Sequence, residues 1–144
     1  MVDAAKIAEL VAFLRDYQNT LRSVGDQSLD RYMADRDSID LGRFRLHMCL
    51  QASIDIAEHI VASEGIAVKS AQDAVSALNR LGVIPDDFVD TLSDMVGMRN
   101  RLVHGYLRIR DQQVYGVIKN YLGDFDRFIE YILAYVNRQN QLLE

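Results

Sequence analysis

The sequence predicts an all-α protein, an antiparallel bundle of four to five helices in one domain spanning residues 1–144. Three observations carry this expectation. Apolar residues recur at steps of three and four along nearly the whole chain, as on helices with one buried face. One proline and eight glycines in 144 residues leave few breaks. No stretch alternates apolar and polar residues as a half-buried strand does.

The first helix is expected from about Asp3 to Val24, with Ile7, Leu10, Leu14, Tyr17, Leu21 and Val24 as its stripe and Gly25 as its end. A short helix, Ser28 to Ala34, follows with Leu29, Tyr32 and Met33 as its apolar contacts. Asp35, Asp37 and Ser38 then supply helix N-cap chemistry. The second long helix runs from about Ile39 to Ser63 on Leu46, Leu50, Ile54, Ala57 and Val61, closed by Glu64-Gly65. A weaker one, Ser70 to Leu81, ends at Gly82. Pro85 opens the next, as proline can at a first helical position, and Asp86, Asp87 and Asp90 complement its dipole. Phe88, Leu92, Met95, Val96, Arg99 and Val103 carry that pattern to His104. The last segment, about Asp111 to Gln141, has the cleanest stripe: Val114, Ile118, Tyr121, Phe125, Phe128, Ile132 and Tyr135. A second row beside it leaves apolar surface to spare, which points to a homodimer.

Composition narrows the function classes. The net charge of −5 argues against a generally basic nucleic-acid coat protein and leaves a local basic site open. The single cysteine, Cys49, allows no intrachain disulfide, so a reducing, cytoplasmic setting is expected. The first residues do not read as a signal peptide, and no apolar run approaches the roughly 20 residues of a membrane helix.

Against this acidic background the stretch Met98 to Arg110 is a cationic island: Arg99, Arg101, Arg108, Arg110 and His104, with no carboxylate before Asp111. Two explanations stand at this level. Arginines complement the dipole at a helix end. Arginine and histidine together also suit a phosphate-containing ligand, which makes Arg101, Arg108 and Arg110 candidates for phosphate contact. On an ideal helix Arg99 and His104 lie about 140° apart, whereas Asn100 and His104 share a face. Asn100 is therefore expected to orient the imidazole, and Arg99 to reach the site by its length.

Elsewhere the signals are weaker. Asp55 and His59, four apart, resemble half a metal site, but no second ligand pair accompanies them, so a structural pair is expected and no metal. His47 reads as a partly buried or surface residue, and Cys49 as a core thiol. Helix-start electrostatics explains Asp86, Asp87 and Asp90 more simply than a metal cluster with Asp94 does. There is no P-loop, no Rossmann glycine pattern and no nucleophile elbow.

The run Arg99-Asn100-Arg101-Leu102-Val103-His104-Gly105-Tyr106 fits the pattern R-x4-H-x-Y. It resembles the motif of HEPN domains of the HepT type, toxin partners of small nucleotidyltransferases in prokaryotic toxin–antitoxin modules. The resemblance extends over the whole chain, and Ala52 to Val61 looks like the family's second long helix. It implies a HEPN-like bundle that dimerises, bringing two motifs together across a cleft. It implies metal-independent endoribonuclease activity without a cofactor, with Arg99 and His104 essential and Asn100 supporting. It also implies a type VII-like module in which an MntA-like minimal nucleotidyltransferase antitoxin silences the toxin by adding AMP to Tyr106, in a homodimer or a larger hetero-oligomer. By itself Tyr106 also reads as an ordinary surface or packing tyrosine. The rival reading is a non-catalytic HEPN module that binds nucleotides or docks the nucleotidyltransferase. A third is a helical interaction protein whose arginines only cap a helix.

Metal-free RNA cleavage needs a base for the ribose 2′-hydroxyl, a donor for charge on phosphorus and an acid for the 5′-oxygen. Histidine can serve as base or acid, and the arginine fork can hold two phosphate oxygens. One histidine per chain does not easily perform both proton transfers, whereas two chains across a dimer supply two.

Overall fold

The longest helix, α3 (Arg36–Ser63), is the axis on which the others pack. The structure, a computed structural model, describes residues 2–143. Before α3 come α1 (Ala4–Gly25) and α2 (Leu29–Ala34). After it come α4 (Ala71–Arg80), α5 (Asp86–His104), α6 (Asp111–Asn120) and α7 (Gly123–Gln141), with no strand among the described residues. Each of the other six helices touches α3. The sequence explains why. Leu46, Leu50, Ile54, Ala57 and Val61 are buried as their spacing predicts, and Cys49, Ile56 and Ile60 are buried beside them. A helix that is apolar on several sides must be covered on several sides. Burial pushes the Cys49 thiol up to about 12, so it is a core group and no nucleophile.

Local chemistry sets the helix ends. Asp3, Ser28, Asp35 and Ser70 each accept a backbone N–H in the first turn of α1, α2, α3 and α4. Gly65 and Gly82 end α3 and α4 at φ 76°, a conformation only glycine adopts freely. Pro85 stands one place before α5, with Asp86 and Asp87 in the first turn. Among the described residues no helix is long and apolar enough to cross a membrane.

The last segment differs from the sequence expectation. The segment from Asp111 to Gln141 is two helices, broken at Tyr121 and Leu122. Tyr121, placed on the stripe by its spacing, is 58% exposed. The reason lies on α1, where Gln18 occupies a core position and is 2% exposed. Its side-chain amide donates to the Leu122 carbonyl (3.0 Å) and to Asp126 Oδ1 (2.9 Å). The Gln18 amide thus ties the start of α7 to α1, on a carbonyl that also accepts the Phe125 N–H. Gly25 ends α1 as its position predicts: it is the last residue of the helix, buried under Ile118, whose Cγ2 would lie 3.2 Å from an added Cβ.

Gly42 has the closest surroundings of the glycines. A Cβ there would sit 2.6 Å from the hydroxyl oxygen of Tyr32, a ring buried completely between α2 and α3. Gly42→Ala is therefore expected to lower stability by about 1–3 kcal/mol, despite alanine's better helix propensity. Thermal unfolding checks this, and Tyr32→Phe in the same chain should recover part of the loss. An unchanged midpoint for Gly42→Ala would show that the ring yields freely.

Candidate functional site

Arg99 leaves α5 on the side that faces α3 and is half-buried there. Its Nε–H donates to Asn100 Oδ1 and its Nη1–H to Gln51 Oε1, both at 2.8 Å. The Gln51 amide in turn donates to Asp55 Oδ1 at 2.8 Å, which fixes the orientation of its own oxygen. The guanidinium is thus held on two sides, and among the described residues Nη2 makes no hydrogen bond. That leaves one edge of a fixed, permanently charged plane for an anionic ligand.

The carboxamide of Asn100, expected to hold the His104 imidazole, instead gives its oxygen to Arg99. His104 is the last residue of α5 and is exposed, its imidazole making no hydrogen bond or ion pair among the described residues. The turn after it, closed by the Gly105 N–H on the Arg101 carbonyl, carries Tyr106, 59% exposed.

Arg43 of α3 straps this turn down. Its Nη1–H donates to the Tyr106 carbonyl (3.2 Å), its Nη2–H to the Ile109 carbonyl (3.1 Å) and its Nε–H to Asp111 Oδ1 (2.7 Å). It also forms an ion pair with Asp111 at 2.6 Å, with both side chains about a quarter exposed or less. A charged fork that satisfies two loop carbonyls and one carboxylate fixes the path of the backbone behind the phenol.

These pairings also set helix direction. Gln51 meets Arg99 while Arg43, two turns earlier on α3, meets Tyr106, so α3 and α5 run antiparallel. His47 lies midway between Arg43 and Gln51 on one face of α3, and so opposite the stretch between Arg99 and Tyr106. Its Nδ1 is buried without a partner. Burial, and then the Arg99 charge, holds its imidazole below the ordinary histidine value.

The family described as ribonuclease HepT-like matches residues 7–132. The chain belongs to the HepT-like ribonuclease family. It is 35% identical over 100 residues to the mRNA nuclease HepT of Shewanella oneidensis, covering 69% of this chain and 73% of that one. It is 26% identical over 125 residues to the tRNA nuclease HepT of Aphanizomenon flos-aquae, covering 83% and 82%. The fold superposes with a TM-score of 0.79 on the tri-AMPylated Shewanella oneidensis HEPN toxin solved in complex with its MNT antitoxin, at 31% identity over 89% of this chain and 96% of that one.

In this HepT-like chain the cationic island divides. Arg101, two residues past Arg99, points the other way round α5. It lines a groove of about 530 Å³ with Asp94, Met98 and Tyr121, and its Nη2–H lies 3.6 Å from the Met98 sulfur. Arg108 and Arg110 are exposed on the connection that carries Tyr106. The expected pairing of Asp55 with His59 is absent: Asp55 accepts from Gln51, and His59 Nε2 is buried without a partner. The sequence pattern points to no role for Arg43 or Gln51 and reads His47 as a partly buried or surface residue. A signal for them exists, since they are polar residues at i, i+4 and i+8 on a helix otherwise covered on several sides.

Proposed function

We infer that this chain is an endoribonuclease toxin that cleaves RNA without a metal, through Arg99 and His104, in a cytoplasmic toxin–antitoxin module. The observation that carries the reading is the Arg99 guanidinium, fixed by Gln51 and Asn100 with one edge free, on the helix that ends at the unpartnered His104. Arg99 holds the scissile phosphate and the charge that grows on it. His104 transfers a proton, and Asn100 keeps the guanidinium plane in position. Arg108 and Arg110 extend phosphate contact along the connection, and Arg101 takes flanking backbone from the groove side.

Residues 1–144 act as one HEPN domain. Val103 (41% exposed) and Leu107 (87%) flank His104 and Tyr106 with apolar surface, which supports covering by a second copy and a composite site in a homodimer. The partner is a minimal nucleotidyltransferase of the MntA kind, as the names of the related complexes suggest. In the silencing step the Tyr106 oxygen attacks the α-phosphorus of ATP. The bond to pyrophosphate breaks and the phenolic proton leaves. The adduct adds phosphate charge and bulk beside the free Arg99 edge and so excludes RNA.

The test is cleavage of RNA by the purified, unmodified chain in excess chelator. Cleavage that survives the chelator is the expected result. No cleavage by a folded chain whose intact mass carries no adduct overturns this reading in favour of a nucleotide- or partner-binding module.

A further inference from the structure

Three residues on one face of α3, Arg43, His47 and Gln51, confront the segment from Arg99 to Tyr106. The outer two are committed: Gln51 holds Arg99, and Arg43 holds the backbone of Tyr106. His47 between them holds nothing, although one of its ring nitrogens is buried. Buried polar atoms are nearly always satisfied, so an idle imidazole among clamps calls for an explanation. We propose that His47 is a second catalytic histidine of this site, taking the proton from the ribose 2′-hydroxyl while His104 gives one to the departing 5′-oxygen. The proposal rests on the ribonuclease reading above and adds to it a base within the same chain.

The chemistry balances. His47 Nε2 accepts the 2′-hydroxyl proton, the 2′-oxygen forms a bond to phosphorus, and the bond from phosphorus to the 5′-oxygen breaks. His104 protonates that oxygen, leaving a 2′,3′-cyclic phosphate and a 5′-hydroxyl. The environment of His47 suits a base. With Nε2 as the accepting atom the resting ring carries its hydrogen on the buried Nδ1, and burial disfavours the charge that a second proton would bring. Arg99 on α5 opposes a second positive charge beside it. On its own helix the Arg43 charge is already met by Asp111 of α6, and the Asp55 carboxylate receives Gln51. The imidazole is therefore neutral near pH 7. A proton becomes welcome there once the phosphoryl group turns more negative between His47 and Arg99.

Cleavage by the full chain, wild type beside His47→Asn, His47→Ala and His104→Ala, tests this across pH. His47→Asn is expected to slow cleavage by about 10²–10⁴-fold while keeping its far-UV spectrum. Wild-type cleavage should fall as pH drops below His47's own value, which lies under 6.5, and this acid limb should vanish in the variant. Added imidazole should restore part of the His47→Ala rate, which it would not do if the ring only packed. Loss in His104→Ala with retained cleavage and an unchanged acid limb in His47→Asn overturns His47 alone. So does a His47→Ala loss that imidazole leaves untouched. A wild type that does not cleave overturns the ribonuclease reading and His47 with it.

Discussion

Arg99→Ala and His104→Ala should each abolish RNA cleavage for practical purposes while leaving a folded chain. Removing a fixed donor from developing phosphoryl charge costs about 10²–10³-fold, and removing a positioned proton donor about 10²–10⁴-fold. The fold tolerates both changes for different reasons. His104 is exposed at the end of α5 and its imidazole makes no hydrogen bond among the described residues. Arg99 is bonded to Gln51 and Asn100, two polar groups that water can satisfy in a half-exposed setting. Arg99→Lys is the sharper variant. It keeps the charge and loses the fork that Gln51 and Asn100 grip, so it should recover little activity. Single-turnover rates in excess chelator decide the matter. A folded Arg99→Ala or His104→Ala chain cleaving within tenfold of wild type would remove that residue from the mechanism.

Under the proposed toxin–antitoxin reading, Tyr106→Phe should uncouple the chain from the nucleotidyltransferase while leaving cleavage intact. The change removes one oxygen from a ring that is 59% exposed, and the backbone behind it stays strapped by Arg43. Without the phenol there is no nucleophile at this position, so the mass increase on co-expression with the nucleotidyltransferase should disappear. Growth arrest should then persist in the presence of the partner. Intact mass measures the first effect and colony formation the second. A full adduct on the Tyr106→Phe chain would place the modification on another residue. Loss of cleavage in the unmodified variant would move Tyr106 from the switch into the catalytic machinery.

Much of this was legible in the residues. The stripe on α3, the N-caps Ser28, Asp35 and Ser70, and the left-handed stops Gly65 and Gly82 all follow from local rules that need no tertiary knowledge. The motif Arg99 to Tyr106 was equally visible, because it is contiguous. The break at Tyr121 was not. Periodicity runs through it, and the Gln18 amide that meets the interruption lies 104 residues away from Leu122. The same limit applied to the partners of the motif. Asn100 was expected to orient His104, since i and i+4 share a face, but Arg99 takes its oxygen across adjacent positions.

The helical class, most helix ends, and the arginine, histidine and tyrosine of the candidate site are written in the residues alone. These are set by propensity, capping and spacing within one segment, where neighbours in space are neighbours in sequence. Which groups of α3 meet that segment is a matter of packing: Gln51 on Arg99 across 48 positions, Arg43 on Tyr106 across 63, and His47 between them. The packing of α3 against α5 chose those pairs. The packing of two helices depends on how all their side chains interdigitate, which no single stretch of sequence contains.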